Sequence, residues 1–257
     1  MRDILKEAHE LRGQRQPFAL ATVVACRRPT SAYPGARAIV RPDGKVTGWV
    51  GGSCAQPIVV QEALKALGDG KPRLLRIRPD AGEKVEVQEG VYEFVMPCQS
   101  QGALEIYVEP FLPRPDLVII GQTPLAQALA RLGAMLDFAV CAADPAATRE
   151  EFPDAEALVT DVADLDARVG PRAYVVVATM GQYDEDALLA VINRDPRYLG
   201  LVASPKRAEA VFQVLRGKGA SEERLARVAC PAGLRLGGVT QEEIALSVMA
   251  EILQLHR

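Results

Sequence analysis

The segment richest in residue types that could do chemistry is Gly48-Trp49-Val50-Gly51-Gly52-Ser53-Cys54-Ala55-Gln56-Pro57. Paired glycines let the backbone come close to a ligand. A helix starting just after Cys54 would turn its first N–H groups toward an anion such as phosphate. The same helix end favours the thiolate of Cys54 over the thiol. A tight turn folded over a small buried cysteine would use the same residues, and the segment alone leaves both readings open. A second thiol, Cys98, lies in Met96-Pro97-Cys98-Gln99-Ser100-Gln101-Gly102, a polar loop between two predicted strands. Alone, this too reads as a buried thiol before a turn. Two cysteines in two ligand-shaped loops of one region say more than either does. Cys26 and Cys141 fall on predicted strands and read as small core residues.

A different kind of site is suggested by Gly121-Gln122-Thr123-Pro124-Leu125-Ala126. It has the place and length of a dinucleotide-binding turn. Asp144 follows 23 residues on, where a ribose-binding acid belongs. Thr123, however, sets a Cβ where the pattern has its second glycine, so a Rossmann scaffold kept for its shape is an equal reading. Further along, Thr179-Met180-Gly181-Gln182-Tyr183-Asp184-Glu185-Asp186 and Ala203-Ser204-Pro205-Lys206-Arg207 follow predicted strands. Loops at strand carboxyl ends form the ligand crevice of an open α/β sheet. Lys206 and Arg207 could meet a phosphate at a helix start, or they are solvated first-turn charges. Pro231 to Gly238 could close the same crevice or simply turn the chain.

The elements that must position these residues divide the chain. Pro110-Phe111-Leu112-Pro113-Arg114-Pro115 places three prolines in six residues and reads as a stiff connector between domains 1–109 and 116–257. The second half alternates apolar runs with helical stretches. Strands are expected at 117–120, 138–142, 157–160, 174–178 and 198–202, and helices at 124–135, 184–193 and 205–216. That alternation predicts a parallel sheet covered by helices on both faces, a Rossmann-like α/β domain. A capping box at Thr240 and Glu243 starts a last helix, whose Ile244, Val248, Ile252 and Leu255 are expected to face the core. The first half reads as a small α+β domain. It has helices at 4–11 and 57–67 and strands at 18–26, 73–78, 91–96 and 103–108. A hairpin across Asp43-Gly44 joins 36–40 to 46–50.

Composition narrows the function classes. The 257 residues are 49% apolar and 25% charged, the balance of a folded globular chain. A formal charge of −3 provides no general pull toward nucleic acid or anionic lipid. The mixed charges of Met1 to Arg12 do not resemble a signal peptide, and no apolar run is long enough to cross a bilayer, so a cytoplasmic protein is expected. Five widely spaced cysteines without a CxxC argue against a disulfide framework or a zinc knuckle. The two histidines, His9 and His256, lie near opposite ends, a poor arrangement for a Ser-His-Asp or Cys-His hydrolase. Chemistry here is expected to come from a cofactor.

Taken in order, Arg28-Pro29-Thr30-Ser31-Ala32, Pro34-Gly35-Ala36, the Gly48 to Pro57 segment and the Cys98 loop resemble the N-terminal domain of the XdhC/CoxI family. These are accessory factors for xanthine dehydrogenase and aerobic carbon monoxide dehydrogenase. Val177 to Asp184, Gly200 to Ser204, Pro231 to Leu234 and the final helix resemble that family's Rossmann domain. Thr30-Ser31-Ala32 and Cys54-Ala55-Gln56-Pro57 are closest to the carbon monoxide dehydrogenase branch. Ser53 departs from a glycine usual in the family. The resemblance implies a maturation chaperone more than a catalyst. Such a protein holds a molybdopterin-type molybdenum cofactor, in a plain or cytosine dinucleotide form, and passes it to an apo molybdenum hydroxylase. A cysteine desulfurase partner and a homodimer belong to the same expectation. Cys54 and Cys98 would then stand near molybdenum or its sulfur. Gly51, Gly52, Ser53, Gln56 and Ser100 would cradle the cofactor, and Gly121, Thr123, Asp144, Thr179, Ser204 and Lys206 would take a phosphate or nucleotide portion. The rival reading is an NAD(P)-dependent oxidoreductase built on the Rossmann half.

Overall fold

A computed structural model describes residues 3–79, 85–95, 102–161, 164–165, 168–237 and 240–256. The chain divides into two compact units, Met1–Pro113 and Arg114–Arg257.

The first unit opens with α1 (Ile4–Gly13), whose start is capped by the Asp3 carboxylate accepting from the N–H groups of Leu5 and Lys6. Then follow β1 (Phe18–Arg27), β2 (Arg37–Val40), β3 (Val46–Gly48), α2 (Gln56–Asp69), β4 (Arg73–Arg78), β5 (Val85–Gln88), β6 (Val91–Val95) and β7 (Ala103–Phe111). They form one sheet in the order β3-β2-β1-β7-β4-β6-β5. Every pair is antiparallel except β4 with β6. Alternation along the strands gives the sheet two apolar faces. Ala19, Ala21, Leu75 and Ile106 pack under Val59, Ala63 and Ala66 of α2. Phe18 and Ile39 pack with Leu11 of α1. Small residues on both partners bring α2 close to the sheet, which suits a chain with few aromatics. Glu62 on α2 is fully buried, and its charge is answered by Arg73 at 3.3 Å and Lys65 at 2.8 Å. The strand β7 runs on through Pro110 and Phe111, opposite Ala19 and Phe18. The rings of Phe18 and Phe111 stack with centroids 4.9 Å apart, which draws the first residues of the proline-rich stretch into the sheet.

The second unit comprises β8 (Asp116–Ile120), α3 (Pro124–Met135), β9 (Ala139–Ala143), β10 (Ala157–Val159), β11 (Tyr174–Val177), α4 (Asp184–Val191), β12 (Tyr198–Leu201), α5 (Pro205–Gly217), α6 (Glu222–Leu225), β13 (Val228–Ala229) and α7 (Gln241–His256). The sheet order is β10-β9-β8-β11-β12-β13 and all pairs are parallel. Successive strands step outward from β8 to β10, and the chain then returns to lay β11 on the other side of β8. That reversal is the switch point of a doubly wound Rossmann sheet, and the crevice opens at the carboxyl ends of β8 and β11. Leu125 and Leu129 of α3 pack with Val248 and Ile252 of α7 on one face. Leu188 of α4 and Val211 and Leu215 of α5 cover the other.

The capping box of α7 forms: the Glu243 N–H donates to Thr240 Oγ1 at 3.2 Å and the Thr240 N–H to Glu243 Oε2 at 2.9 Å. Leu255 departs from expectation and is 44% exposed, because the buried stripe shifts to Ala245, Val248, Met249 and Ile252. The short elements β5, α6 and β13 carry no periodicity long enough to be seen in sequence. Among the described residues no helix is long and apolar enough to cross a membrane.

Candidate functional site

The residues singled out by sequence fall into two sets, one in each unit. In the first unit the chain leaves β3 at Gly48, buries Val50, and turns through Gly51 to Ala55 into α2. Gly51 anchors the turn: a Cβ there would stand 3.2 Å from the Ala55 methyl and 3.4 Å from Leu104 Cδ1. Gly52, Ser53 and Gln56 are exposed, while Cys54 is half-buried against the core of the unit. A Cβ on Gly52 would meet only Ser31 Oγ, at 3.9 Å. The Gly52 carbonyl accepts from the N–H groups of Ala55, at 3.1 Å, and Gln56, at 3.2 Å. Ala55 provides no acceptor side chain, and no side chain caps α2. The helix start is thus bordered by backbone and by one half-buried thiol that packs against the core, and Pro57 contributes no N–H.

The loop after β1 comes to the same end of the sheet. Arg27 pairs with Ala103, and a Cβ on Gly102 would collide with the Pro29 carbonyl. Cys26, half-buried, donates its S–H to the Ala32 carbonyl at 3.5 Å. Cys98 and Ser100, between β6 and Gly102, lie outside the described residues.

In the second unit Gly121, Thr123 and Thr179 converge at the switch point. The Gly121 N–H donates to the Ala143 carbonyl at 2.9 Å, and a Cβ there would stand 2.5 Å from the Ala178 oxygen. Thr123 is only 5% exposed. Its hydroxyl donates to the Ala178 carbonyl at 3.0 Å and accepts from the Ala126 N–H at 3.1 Å, capping α3. The side chain that breaks the glycine pattern is thus turned inward and consumes a first-turn donor. Pro124, with no N–H, removes another. The start of α3 therefore has less to offer a pyrophosphate than the glycine-rich turn it resembles.

Asp144, at the end of β9, is also engaged. One carboxylate oxygen accepts from the Ala146 N–H at 2.9 Å, and the other accepts from the Tyr183 hydroxyl. Burial, then the bond to Asp144, push the Tyr183 hydroxyl well above its ordinary pKa, so it keeps its proton and the bond holds. Beside it, Thr179 donates to Asp184, which is almost fully buried and pairs with Arg207 Nε at 3.2 Å. Arg207 also donates to the Gly181 carbonyl at 3.1 Å and pairs with Glu185. Ser204 caps α5 by accepting from the Arg207 N–H, and Lys206 is exposed. Of the two cations foreseen for phosphate, Arg207 is held by carboxylates and Lys206 faces solvent. Sequence reasoning passed over Tyr183, Asp184 and Arg207 as a network. The acidic run Asp184-Glu185-Asp186 at a helix start was the available signal. Among the described residues no three His, Cys, Asp or Glu side chains gather as a metal-binding set.

A family model described as the XdhC Rossmann domain matches residues 117–252, over half of the chain, and one described as the XdhC and CoxI family matches residues 11–78. The chain belongs to the XdhC and CoxI family. It is 35% identical to "Uncharacterized protein YqeB" of Escherichia coli K12, over 98% of this chain and 46% of that protein. It is 30% identical to a protein of Bacillus subtilis 168 named as a probable xanthine dehydrogenase subunit, over 70% of this chain and 54% of that one. The chain thus spans about half the length of these two relatives. "Molybdenum cofactor insertion chaperone PaoD" of Escherichia coli K12 is 24% identical over all of this chain and 89% of its own length. A crystal structure of a xanthine dehydrogenase from Bacillus halodurans superimposes with a TM-score of 0.50 at 18% identity, covering 100% of this chain and 96% of that one, and shares the fold.

Proposed function

We propose that this protein holds a molybdopterin-type molybdenum cofactor on its first unit and delivers it to an apo molybdenum hydroxylase of the xanthine dehydrogenase kind. The observation that carries the reading is the start of α2, where exposed Gly52 and Ser53 and half-buried Cys54 surround a helix end without a side-chain cap. The positive end of the helix dipole there suits the cofactor's phosphate, and a soft sulfur donor suits a molybdenum–sulfur centre. The metal arrives already ligated by its own pterin dithiolene, so one protein thiol is enough to orient it. Membership of the XdhC and CoxI family and similarity to a protein named as a molybdenum cofactor insertion chaperone support the reading.

In the Rossmann unit any nucleotide has to displace Tyr183 from Asp144 before it can use that carboxylate. An NAD(P)-dependent oxidoreductase is disfavoured by the same geometry, since Thr123 and Tyr183 occupy the groups a dinucleotide would use.

The test is anaerobic titration of the full chain with molybdopterin, followed by pterin and molybdenum analysis of the protein peak. Cys54→Ser is expected to retain the cofactor at least about ten-fold less well, a loss of roughly 1.4 kcal/mol, with an unchanged melting temperature. Equal retention by the folded variant overturns the thiol's role.

A further inference from the structure

The first unit contains a cleft of about 740 Å³, separate from the start of α2. It lies between the start of α1, the outer edge of β3 and the loop before β2, and Leu5, Tyr33, Arg37, Val46, Gly48 and Trp49 line it. Its size is that of a small-molecule site. Three of its apolar walls are open to solvent: Leu5 is 55% exposed, Tyr33 52% and Trp49 38%. Trp49 is the only tryptophan in the chain.

The edge strand provides the polar half of the cleft. The Trp49 N–H donates to Arg37 O, and the Arg41 N–H donates to Lys45 O. These bonds flank the opposed pairs Ala38–Gly48 and Val40–Val46. Both pairs are therefore of the non-hydrogen-bonded kind, and the N–H and C=O groups of Val46 and Gly48 point away from β2. Because β3 is the edge of the sheet, they point into the open. By contrast, the Leu5 and Lys6 N–H groups at the start of α1 are taken by the Asp3 carboxylate, so this wall offers nothing to an anion. Two exposed aromatic rings beside a row of alternating peptide donors and acceptors fit a flat ring system whose edge alternates in the same way.

We propose that this cleft binds the pterin ring of the cofactor, or a closely related fused nitrogen heteroaromatic, and the proposal rests on the cofactor-holding reading above. Trp49 and Tyr33 supply the stacking surface, and the outward peptide groups of Val46 and Gly48 read the ring edge. Trp49 stands two residues before Gly51, so the chain that lines the cleft runs directly on into the turn that bears Cys54. One loop thereby serves both ends of the ligand, the ring before the glycines and the sulfur-bearing centre after them.

The single tryptophan makes the test direct. Free pterin is titrated into the full chain while Trp49 emission is followed, and affinities of the variants are measured by calorimetry. Saturable quenching is expected, with affinity at least about ten-fold weaker in Trp49→Ala and in Tyr33→Ala. Trp49→Phe, which keeps a ring, and Cys54→Ser should bind pterin within about three-fold of wild type. Circular dichroism melts establish that each variant is folded. Absence of saturable quenching, or wild-type affinity in folded Trp49→Ala, overturns the proposal. If the cleft variants bind pterin normally while Cys54→Ser loses the cofactor, the cleft assignment falls and the cofactor reading stands. If pterin binds at Trp49 but Cys54→Ser keeps its full molybdenum load, the thiol reading falls and the cleft assignment stands.

Discussion

The starts of α2 and α3 follow the same local plan, a strand leading through glycine and a small polar residue into a helix with proline in its first turn. They end up as opposites. At α3, Thr123 turns inward, ties the helix to the Ala178 carbonyl and takes the Ala126 N–H, while Gly121 is wedged against Ala178. At α2 the corresponding cap is Ala55, which accepts nothing through its side chain, and Gly52 and Ser53 face solvent. A helix start meets its donors with side chains or with nearby carbonyls: Thr123 does the first at α3, and the Gly52 carbonyl, taking the Ala55 and Gln56 N–H groups, does the second at α2. In this chain a side chain seals the turn that looks like a nucleotide site, whereas the α2 turn closes on backbone alone and keeps Gly52 and Ser53 exposed.

The comparison breaks most visibly under a methyl group. Gly121→Ala puts a Cβ 2.5 Å from the Ala178 oxygen at a φ of +129°, and the lost stability should be roughly 2–4 kcal/mol in urea unfolding. Alkaline titration should expose the dry interior of the same unit. Burial pushes the Cys141 thiol from 9.0 up to about 11. An unfolded chain releases that proton near the ordinary value, so the stability tied to it is intact below pH 9 and drains away as pH rises toward 11. At about 1.4 kcal/mol per pH unit the loss approaches 2–3 kcal/mol. Tyr198, also pushed up by burial, adds to the decline at higher pH. Denaturant midpoints of Cys141→Ala and wild type should converge between pH 9 and 11, and parallel curves would contradict this.

A smaller effect is expected where Tyr183 occupies Asp144. Tyr183→Phe removes the internal donor, and calorimetry should show cytidine or adenosine nucleotides binding several-fold tighter, about 1 kcal/mol. Unchanged affinity would mark the crevice as scaffold alone. The smallest effect belongs to Gly52→Ala, whose Cβ has only Ser31 Oγ nearby, at 3.9 Å. Its melting temperature should match wild type, a change within about 0.5 kcal/mol. A large destabilisation there would show that the α2 turn is as closed as the α3 turn.

Much of this architecture was written locally. Continuous apolar runs such as Leu117 to Ile120 and Tyr174 to Val177 announced strands buried on both faces, and the Thr240 capping box marked the start of α7. Asp43-Gly44 correctly signalled the turn between β2 and β3. Less was legible at the candidate sites. Thr123 could be recognised as a misfit to the glycine pattern, but its inward rotamer depends on the Ala178 carbonyl, 55 residues away in the chain. Tyr183 lies 39 residues from Asp144, and nothing local hints that its hydroxyl fills the carboxylate.

The sequence by itself determined which segments become helix or strand, where the Rossmann alternation begins, and which loops carry thiols and glycines. Those properties follow from nearest-neighbour sterics and from apolar periods of two and 3.6 residues, which a linear chain records directly. Tertiary structure alone decided that β4 and β6 pair in parallel, that β11 returns beside β8, and that β3 is left at a sheet edge. It also decided that Trp49 remains half in water. Pairing and exposure depend on which distant strand arrives alongside, and that is settled by the packing of whole faces against one another.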